Sequence, residues 1–322
     1  MVKIYTKEQI IAAMEQNEQK DIIDSIEEGF VAYSQGKAVV PPVGELVSKE
    51  PYGETHIKYG YITGGSSFVI KIVSGFYDNQ KLGLPVNSGL VLVFSNQTGF
   101  LEGILLDEGY LTDIRTAAAG AVVARYMAPK NIERIGVFGT GNQGRLQLEY
   151  LKPIVRCRDV IVWGMNQEEL DLYIEAMKPH GFNIRTSMDA AQVAKECNLI
   201  VTATPSRKAL LNASQLRKGA HITAIGSDTP DKQELDIDIL QKADAIVSDS
   251  IDQSQYRGEI FQWRKSGIID EGKIFELGNV IKDKSVQRQS DEETTVADLT
   301  GVAVQDFQIS NIVTSILNKA TS

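Results

Sequence analysis

The chain has little cysteine, little histidine, no excess of basic charge and no long apolar run. Its two cysteines, Cys157 and Cys197, lie far apart in 322 residues without metal-ligand spacing. A disulfide framework or a cysteine metal centre is therefore not expected, and both read as reduced core thiols. His56, His180 and His221 share no motif and are expected in structural roles, so no metal site is predicted. The 33 basic residues against 42 acidic ones give a net charge of -9. That excludes the basic surface of a phosphate-backbone binder, so no nucleic-acid partner is expected. A few local cations still suffice for a small anion. The longest apolar stretches, such as Ala117 to Val123, fall far short of the roughly 20 residues of a membrane span, so no membrane partner is expected. Met1 to Glu15 mixes charge with apolar residues and shows no signal peptide. The nine prolines are scattered, and no repeat or low-complexity linker interrupts the chain. These absences together describe a soluble, cytoplasmic protein.

What is present is an ordinary globular composition, 43% hydrophobic, in a chain long enough for two domains and a large core. Thr6 to Tyr33 has helical periodicity, with Ile10, Ile11, Met14, Ile22, Ile23, Ile26, Phe30 and Val31 three or four apart. Lys37 to Phe100 is rich in β-formers with turn residues between. It predicts short, mostly antiparallel strands at His56–Ile62, Phe68–Gly75, Gly89–Ser95 and Leu101–Leu106, with a hairpin at Asn96–Gly99. Thr112 reads as the N-cap of an alanine-rich helix over Thr116–Tyr126. From Ile135 the pattern changes to short apolar strands alternating with amphipathic helices: Ile135–Phe138, Asp159–Trp163, Leu199–Ala203, His221–Ala224 and Ala245–Ser248. Such alternation predicts a parallel sheet with crossover helices. A last helix is expected at Gly301–Lys319.

Ile135-Gly136-Val137-Phe138 runs into Gly139-Thr140-Gly141-Asn142-Gln143-Gly144, a strand opening through G-x-G-x-x-G into a helix. The glycines permit a tight turn, approach of a pyrophosphate to the backbone, and close helix packing, while helix N–H groups face the phosphates. The strand before and helix after make this a dinucleotide site rather than a glycine-rich turn. The second strand ends Trp163-Gly164-Met165-Asn166, with neither an acid for the ribose hydroxyls nor an arginine for a 2′-phosphate. Asn166 is the candidate ribose partner, and Glu168 and Glu169 disfavour an extra phosphate. The expected cofactor is NAD(H), ahead of NADP(H).

Three polar residues stand out. Lys71 sits in the nearly apolar Phe68-Val69-Ile70-Lys71-Ile72-Val73. Either it is solvated on an edge strand, or it is buried and faces an anion that offsets its desolvation. Arg115, read as lying in the first turn of a helix, opposes the helix dipole, which either a bound anion or a surface pair with Asp113 or Glu108 would explain. Asp228 follows a strand in Ile225-Gly226-Ser227-Asp228-Thr229-Pro230. It either exchanges protons with a substrate amine or closes an Asx-turn. His56 and Lys58 share one face of a strand, where either could lie near a substrate.

Pro41-Pro42, the Lys71 strand ending Val73-Ser74-Gly75-Phe76, and Leu111-Thr112-Asp113-Ile114-Arg115-Thr116-Ala117-Ala118-Ala119 resemble the ornithine cyclodeaminase/mu-crystallin family. So do Gly139-Thr140-Gly141-Asn142-Gln143, Val201-Thr202-Ala203-Thr204-Pro205-Ser206, Ile225-Gly226-Ser227-Asp228 leading to Lys232-Gln233-Glu234-Leu235-Asp236, and the closing Val296 to Asp306. The resemblance covers nearly the whole chain in order. It implies an α/β fold in which a Rossmann dinucleotide-binding domain, residues 119–302, is inserted into an α+β substrate and dimerisation domain, residues 1–118 with 303–322. It further implies a homodimer acting on a small amino-acid or imino-acid substrate. Lys71 and Arg115, with Lys58 and Gly301, would bind the substrate, and the catalytic residues would be Asp228, as acid/base, and Lys71. Gly139, Thr140, Gly141, Asn142, Gln143, Gly144, Asn166, Thr202, Ala203, Thr204 and Ser227 would bind the cofactor. The implied activity is hydride transfer at an α-carbon by an amino-acid dehydrogenase or imine reductase. A cyclodeaminase that recycles its NAD, or a ligand-binding protein without chemistry, are the alternatives. One departure is visible: many members carry an arginine shortly after the proline, where this chain has Val43-Gly44-Glu45. Lys58 could supply that charge, or Glu45 could meet an amine.

Overall fold

The computed structural model describes residues 2–320. In chain order the elements are β1 Lys3–Tyr5, α1 Lys7–Met14, α2 Gln19–Ser34, β2 Ala38–Val39, β3 Gly44–Lys49, β4 Tyr52–Ile62, β5 Ser67–Phe76, β6 Asn87–Ser95, β7 Leu101–Leu105 and α3 Tyr110–Met127. Then follow β8 Ile135–Phe138, α4 Asn142–Leu151, β9 Asp159–Trp163, α5 Gln167–Met177, β10 Asn183–Ser187, α6 Ala190–Glu196, β11 Leu199–Thr202, β12 Arg207–Leu211, β13 His221–Ala224 and β14 Gln233–Leu235. The chain closes with α7 Ile237–Lys242, β15 Ala245–Ser248, α8 Glu259–Lys265, β16 Ile274–Glu276, α9 Leu277–Lys282, β17 Thr295–Asp298 and α10 Ala303–Ala320. Two compact units result: one holds the chain up to Arg115 and from Val302 onward, the other Thr116–Gly301.

The first unit is built on a sheet ordered β1-β7-β6-β5-β4-β2, with β3 also paired to β4. Strands β3 to β7 are antiparallel, while β1 joins β7 in parallel. Period-2 alternation sends Val69 and Lys71 of β5, His56 and Lys58 of β4, and Val91 and Val93 of β6 to the buried face. Helix α10 packs on α2, β4 and β5. A Cβ on Gly29 of α2 would come within 2.9 Å of Gln308 Cγ on α10, so glycine permits that close approach. Of the residues read from the helical period, Ile10, Met14, Ile22, Ile23, Ile26 and Phe30 are buried, while Ile11 and Val31 are half-buried. The Thr6 hydroxyl and Gln9 side chain form a capping box that starts α1.

The second unit is a parallel sheet in the order β10-β9-β8-β11-β13-β17-β15-β16. Alternate residues feed two cores. Ile135, Val137, Val160, Val162, Leu199 and Val201 pack with α4 and α5 on one face, and Phe138, Ile161, Ile200, Ile222 and Val296 with α6, α7 and α8 on the other. Burial on both faces explains why these strands read as continuous apolar runs. The chain moves outward from β8 through β9 to β10, then returns to β11 on the other side of β8. A topological switch point thus falls between β8 and β11.

Three local expectations are corrected. Thr112 is not an N-cap: α3 begins at Tyr110, and Asp107 Oδ2 accepts from Leu111 N at 3.0 Å in that role. Arg115 therefore lies in the second turn of α3 rather than the first, and the helix dipole does not explain its placement. Cys157 is half-buried rather than in the core, whereas Cys197 is fully buried; both are free thiols. The last helix starts at Ala303, after Gly301 turns the chain in the left-handed region at φ 82°.

Candidate active site

Within the first unit Lys71, at 1% exposure, is among the most deeply buried large side chains. The edge-strand reading is overturned, because β5 is flanked by β4 and β6. Lys71 Nζ donates to Asp306 Oδ1 of α10 at 2.8 Å, and Arg115 Nε lies 3.2 Å from the same oxygen. Arg115 also donates from its NH1 group to Gln305 Oε1 at 2.7 Å, and at 5% exposure it is buried rather than part of a surface pair. Burial, and next the Arg115 charge, push Lys71 down to about 8, against the pull of Asp306. Burial works to raise Asp306, but Lys71, Arg115 and Lys58 outweigh it and hold that carboxyl below its ordinary range. Two buried cations thus share one carboxylate, with Lys58 directly opposite Lys71 in the β4–β5 register. Removing one member of such a cluster costs about 3–5 kcal/mol, since a buried charge is left without its partner.

Along the same face, His56 Nε2 lies 3.5 Å from Glu45 and 3.7 Å from Glu54, a pairing that gains charge only when the ring is protonated. Tyr77 donates to Glu54 at 2.7 Å. Glu45 therefore faces an imidazole.

Within the second unit the glycine loop leaves β8 at the switch point. Gly139 has φ 116°, and a Cβ there would meet Ala203 O at 2.6 Å; a Cβ on Gly144 would meet Gly139 O at 2.3 Å. Gly141, the N-cap of α4, faces open space and provides no side-chain cap. This is the shape a pyrophosphate needs: backbone drawn close, helix N–H groups at its start, and room where a Cβ would stand. Thr140 Oγ1 donates to Glu169 at 3.0 Å, placing a carboxylate next to the loop. Asn166 is the N-cap of α5 and accepts from Glu169 N at 2.9 Å. Across the switch point, Ala203 N donates to Phe138 O at 2.8 Å, which seats the Thr202-Ala203-Thr204 turn beside the glycine loop.

Asp228 lies on the loop after β13. Its carboxylate takes a 2.7 Å bond from Lys232, and its side chain stays nearly half exposed. Ser227 turns inward and donates to Lys232 O at 2.8 Å, holding the loop closed. Arg257, 3% exposed, donates to Asp228 O at 3.3 Å.

With this geometry in hand, the comparisons with known proteins are decisive on kinship. A model of the ornithine cyclodeaminase/mu-crystallin family matches residues 6–320. The chain belongs to this family. An uncharacterised cyclodeaminase of Sinorhizobium fredii is 39% identical over 91% of this chain and 89% of its own. Among solved structures, an archaeal alanine dehydrogenase dimer with bound NAD superposes with a TM-score of 0.90 at 30% identity, covering 100% of this chain and 97% of that one. Thermococcus litoralis Δ1-pyrroline-2-carboxylate reductase, in complex with NADH and L-proline, superposes at 0.91 with 25% identity, over 99% and 98% of the two chains. The α/β fold expected from sequence is the fold of these family structures.

Several residues of this family member escaped the sequence reading. In the sequence Asp306 and Gln305 stand out only as part of a closing motif, though Asp306 is the partner of both Lys71 and Arg115. Glu234, Glu259, Asp249 and Asp298 are all buried acids of the second unit. Asp249 accepts from Gly301 N at 2.6 Å and Thr300 Oγ1 at 3.1 Å, so Gly301 is tied down by its backbone. A signal did exist, because acids in otherwise apolar or glycine-rich strings need a buried donor. It was not usable without knowing which segments meet. His221 is structural as expected: fully buried, it lies 2.8 Å from Thr295 and 3.1 Å from Thr223.

Proposed function

We propose that the protein is a nicotinamide-dependent oxidoreductase acting at the α-carbon of an amino acid or its imine. One observation carries this reading: three buried cations, Lys71, Arg115 and Lys58, act on Asp306, and the other buried acid acting on Lys71 is Asp107, so these five groups hold one positive charge more than they neutralise. A substrate carboxylate matches that excess, and a bidentate or paired approach would fix its orientation. Lys58, on the same face, adds a third cation where Val43-Gly44-Glu45 provides no arginine. A nicotinamide dinucleotide, which the glycine loop fits, supplies hydride exchange at the substrate carbon. Lys71 and Arg115 hold the carboxylate, and Asp228 exchanges a proton with the substrate nitrogen. Thr202 to Thr204 and Ser227 shape the cofactor loops; the hydroxyls of Thr202 and Thr204 are turned to Glu234 and that of Ser227 to a loop carbonyl. The carboxylate of Glu169 beside Thr140 favours NAD(H) over NADP(H), since a 2′-phosphate there would meet like charge.

The exposed large apolar side chains concentrate on the first unit, among them Leu46, Val47, Leu82, Leu84 and Phe100. Such a surface favours a homodimer assembled through that unit, and the similar archaeal alanine dehydrogenase is itself a dimer. Among the described residues no helix is long and apolar enough to cross a membrane, and two free thiols suit a reducing cytoplasm.

The test is a spectrophotometric screen of L-alanine, L-proline, L-aspartate and L-ornithine with NAD and with NADP, ammonia being measured in parallel. Net reduction of NAD by an amino acid is the expected result, abolished in Asp228→Asn with NADH binding retained. Ammonia release from L-ornithine without net change in NADH absorbance would establish the cyclodeaminase reading, which the Sinorhizobium relative's name favours. Cofactor binding without turnover of any acid or imine would overturn the enzyme reading.

A further inference from the structure

Glu234 is a carboxylate with no exposure at all, on the short strand β14, which pairs with β12 outside the main sheet. Its two oxygens accept four hydrogen bonds. Oε1 takes Thr204 N at 2.6 Å and Thr204 Oγ1 at 2.8 Å; Oε2 takes Thr202 Oγ1 at 2.7 Å and Gly226 N at 2.9 Å. Those donors belong to two different segments, the end of β11 with the turn that follows it and the turn after β13, which are neighbouring strands in the sheet. Both turns lie at strand carboxyl ends, where dinucleotides bind in sheets of this kind. Gly226 is glycine because a Cβ would stand 2.2 Å from Thr204 O and 2.7 Å from the Glu234 carboxyl carbon. The two turns are thus drawn into contact around one carboxylate, and Asp228 stands two residues beyond Gly226.

The carboxylate is itself anchored from behind. Glu259 Oε1 accepts from Glu234 N at 2.7 Å, and its Oε2 accepts from Leu235 N at 3.3 Å. Ile260 N, in the first turn of α8, donates to Asp298 Oδ2 at 2.8 Å at the end of β17. Each of three buried acids accepts N–H groups from the next segment, from β17 to α8, from α8 to β14, and from β14 to the two turns. Burial pushes Glu234 above its ordinary range, with the bonds from Thr202, Thr204 and Gly226 pulling against it. Mere filling of this space would be served by glutamine or leucine. One backbone N–H converges on each oxygen, Thr204 N on Oε1 and Gly226 N on Oε2, so both oxygens must accept, and an ionised carboxylate is the side chain that does so.

We propose that Glu234 is a positioning residue: by accepting from both turns at once it sets the Thr202–Thr204 segment against the cofactor and Asp228 against the reacting nitrogen. The inference rests on the oxidoreductase reading. Glu234→Gln tests it with the smallest change, since the amide keeps the shape but must set its NH2 group against a backbone N–H, that of Thr204 or of Gly226. NADH affinity is read by fluorescence titration, and kcat and KM are read with the amino acid that the screen identifies, well below the thermal midpoint. The expected result is NADH binding weakened about tenfold or more and kcat lowered at least as much, because unsatisfied buried donors displace both turns, with KM for the acid within about threefold. A purely structural glutamate would lower the thermal midpoint and leave NADH affinity and kcat of the folded variant at the unmodified level, which would overturn the proposal. Should Glu234→Gln fail to fold, Thr202→Val removes one donor at nearly constant volume and is expected to weaken NADH binding about threefold; unchanged binding there is equally contrary. Failure of the unmodified protein to bind NADH would take down the oxidoreductase reading and this inference with it. An active unmodified protein with indifferent variants would sink the inference alone.

Discussion

Lys71 offers the sharpest test of the carboxylate site, because its charge titrates in an accessible range. Burial and Arg115 hold it at about 8 in the free protein. The folded value lies below the ordinary lysine value of 10.5, so the cation is present below about 8 and is lost as pH rises through it. If substrate binding needs that cation, kcat/KM follows its protonated fraction, falling about tenfold between pH 7 and 9. Lys71→Arg keeps the charge without titrating, so its profile lacks this alkaline fall. Lys71→Met removes the charge, and loss of one charged hydrogen bond to the substrate, worth about 1.5–3 kcal/mol, lowers kcat/KM about 10- to 150-fold at pH 7. Its stability cost falls near the lower end of the range for broken buried pairs, about 3 kcal/mol, because Arg115 remains on Asp306. The assay is initial rate at low substrate across pH 6.5–10, with saturating cofactor and thermal midpoints recorded for each variant. An alkaline fall near pH 8 shared unchanged by Lys71→Arg, or by Lys71→Met, would refute the assignment, since some other group would then be titrating.

Two further outcomes follow from the second unit. Gly144→Ala places a Cβ 2.3 Å from Gly139 O, so the loop or α4 must shift; NADH affinity is expected to fall about tenfold or more, measured by titration, and wild-type affinity would contradict the cradle. His221 is fully buried, and burial, then Arg288, push it down to about 3. Its folded value lies below the unfolded one, so its stabilising contribution is whole above about pH 6.5 and erodes as pH falls toward 3, by about 2 kcal/mol at pH 5. Urea midpoints compared at pH 7 and 5 check this, and His221→Gln should flatten the difference.

The residues themselves carried the periodicity of both units, the glycine loop with its strand and helix, and the anomaly of a lysine in an apolar strand. These were legible because each is a local pattern: glycines mark where backbone must approach, and alternation marks a buried face. Strand β10, the polar edge sequence Asn183–Ser187, carried no such period, and β17 was read only as part of a closing motif although it is inserted between β13 and β15. Thr112 misled because serine and threonine signal helix starts wherever they stand, and the acceptor that caps α3 is Asp107, at the preceding bend. What tertiary structure alone decided is which charges meet. Lys71 and Asp306 stand 235 residues apart, and Glu234 reaches Thr202 and Thr204 across 32 and 30. A buried charge is stable only beside a partner delivered by another element, and no local pattern names that partner. The sequence could show that a cation was out of place; packing of α10 on β5 determined what neutralises it and what charge is left over.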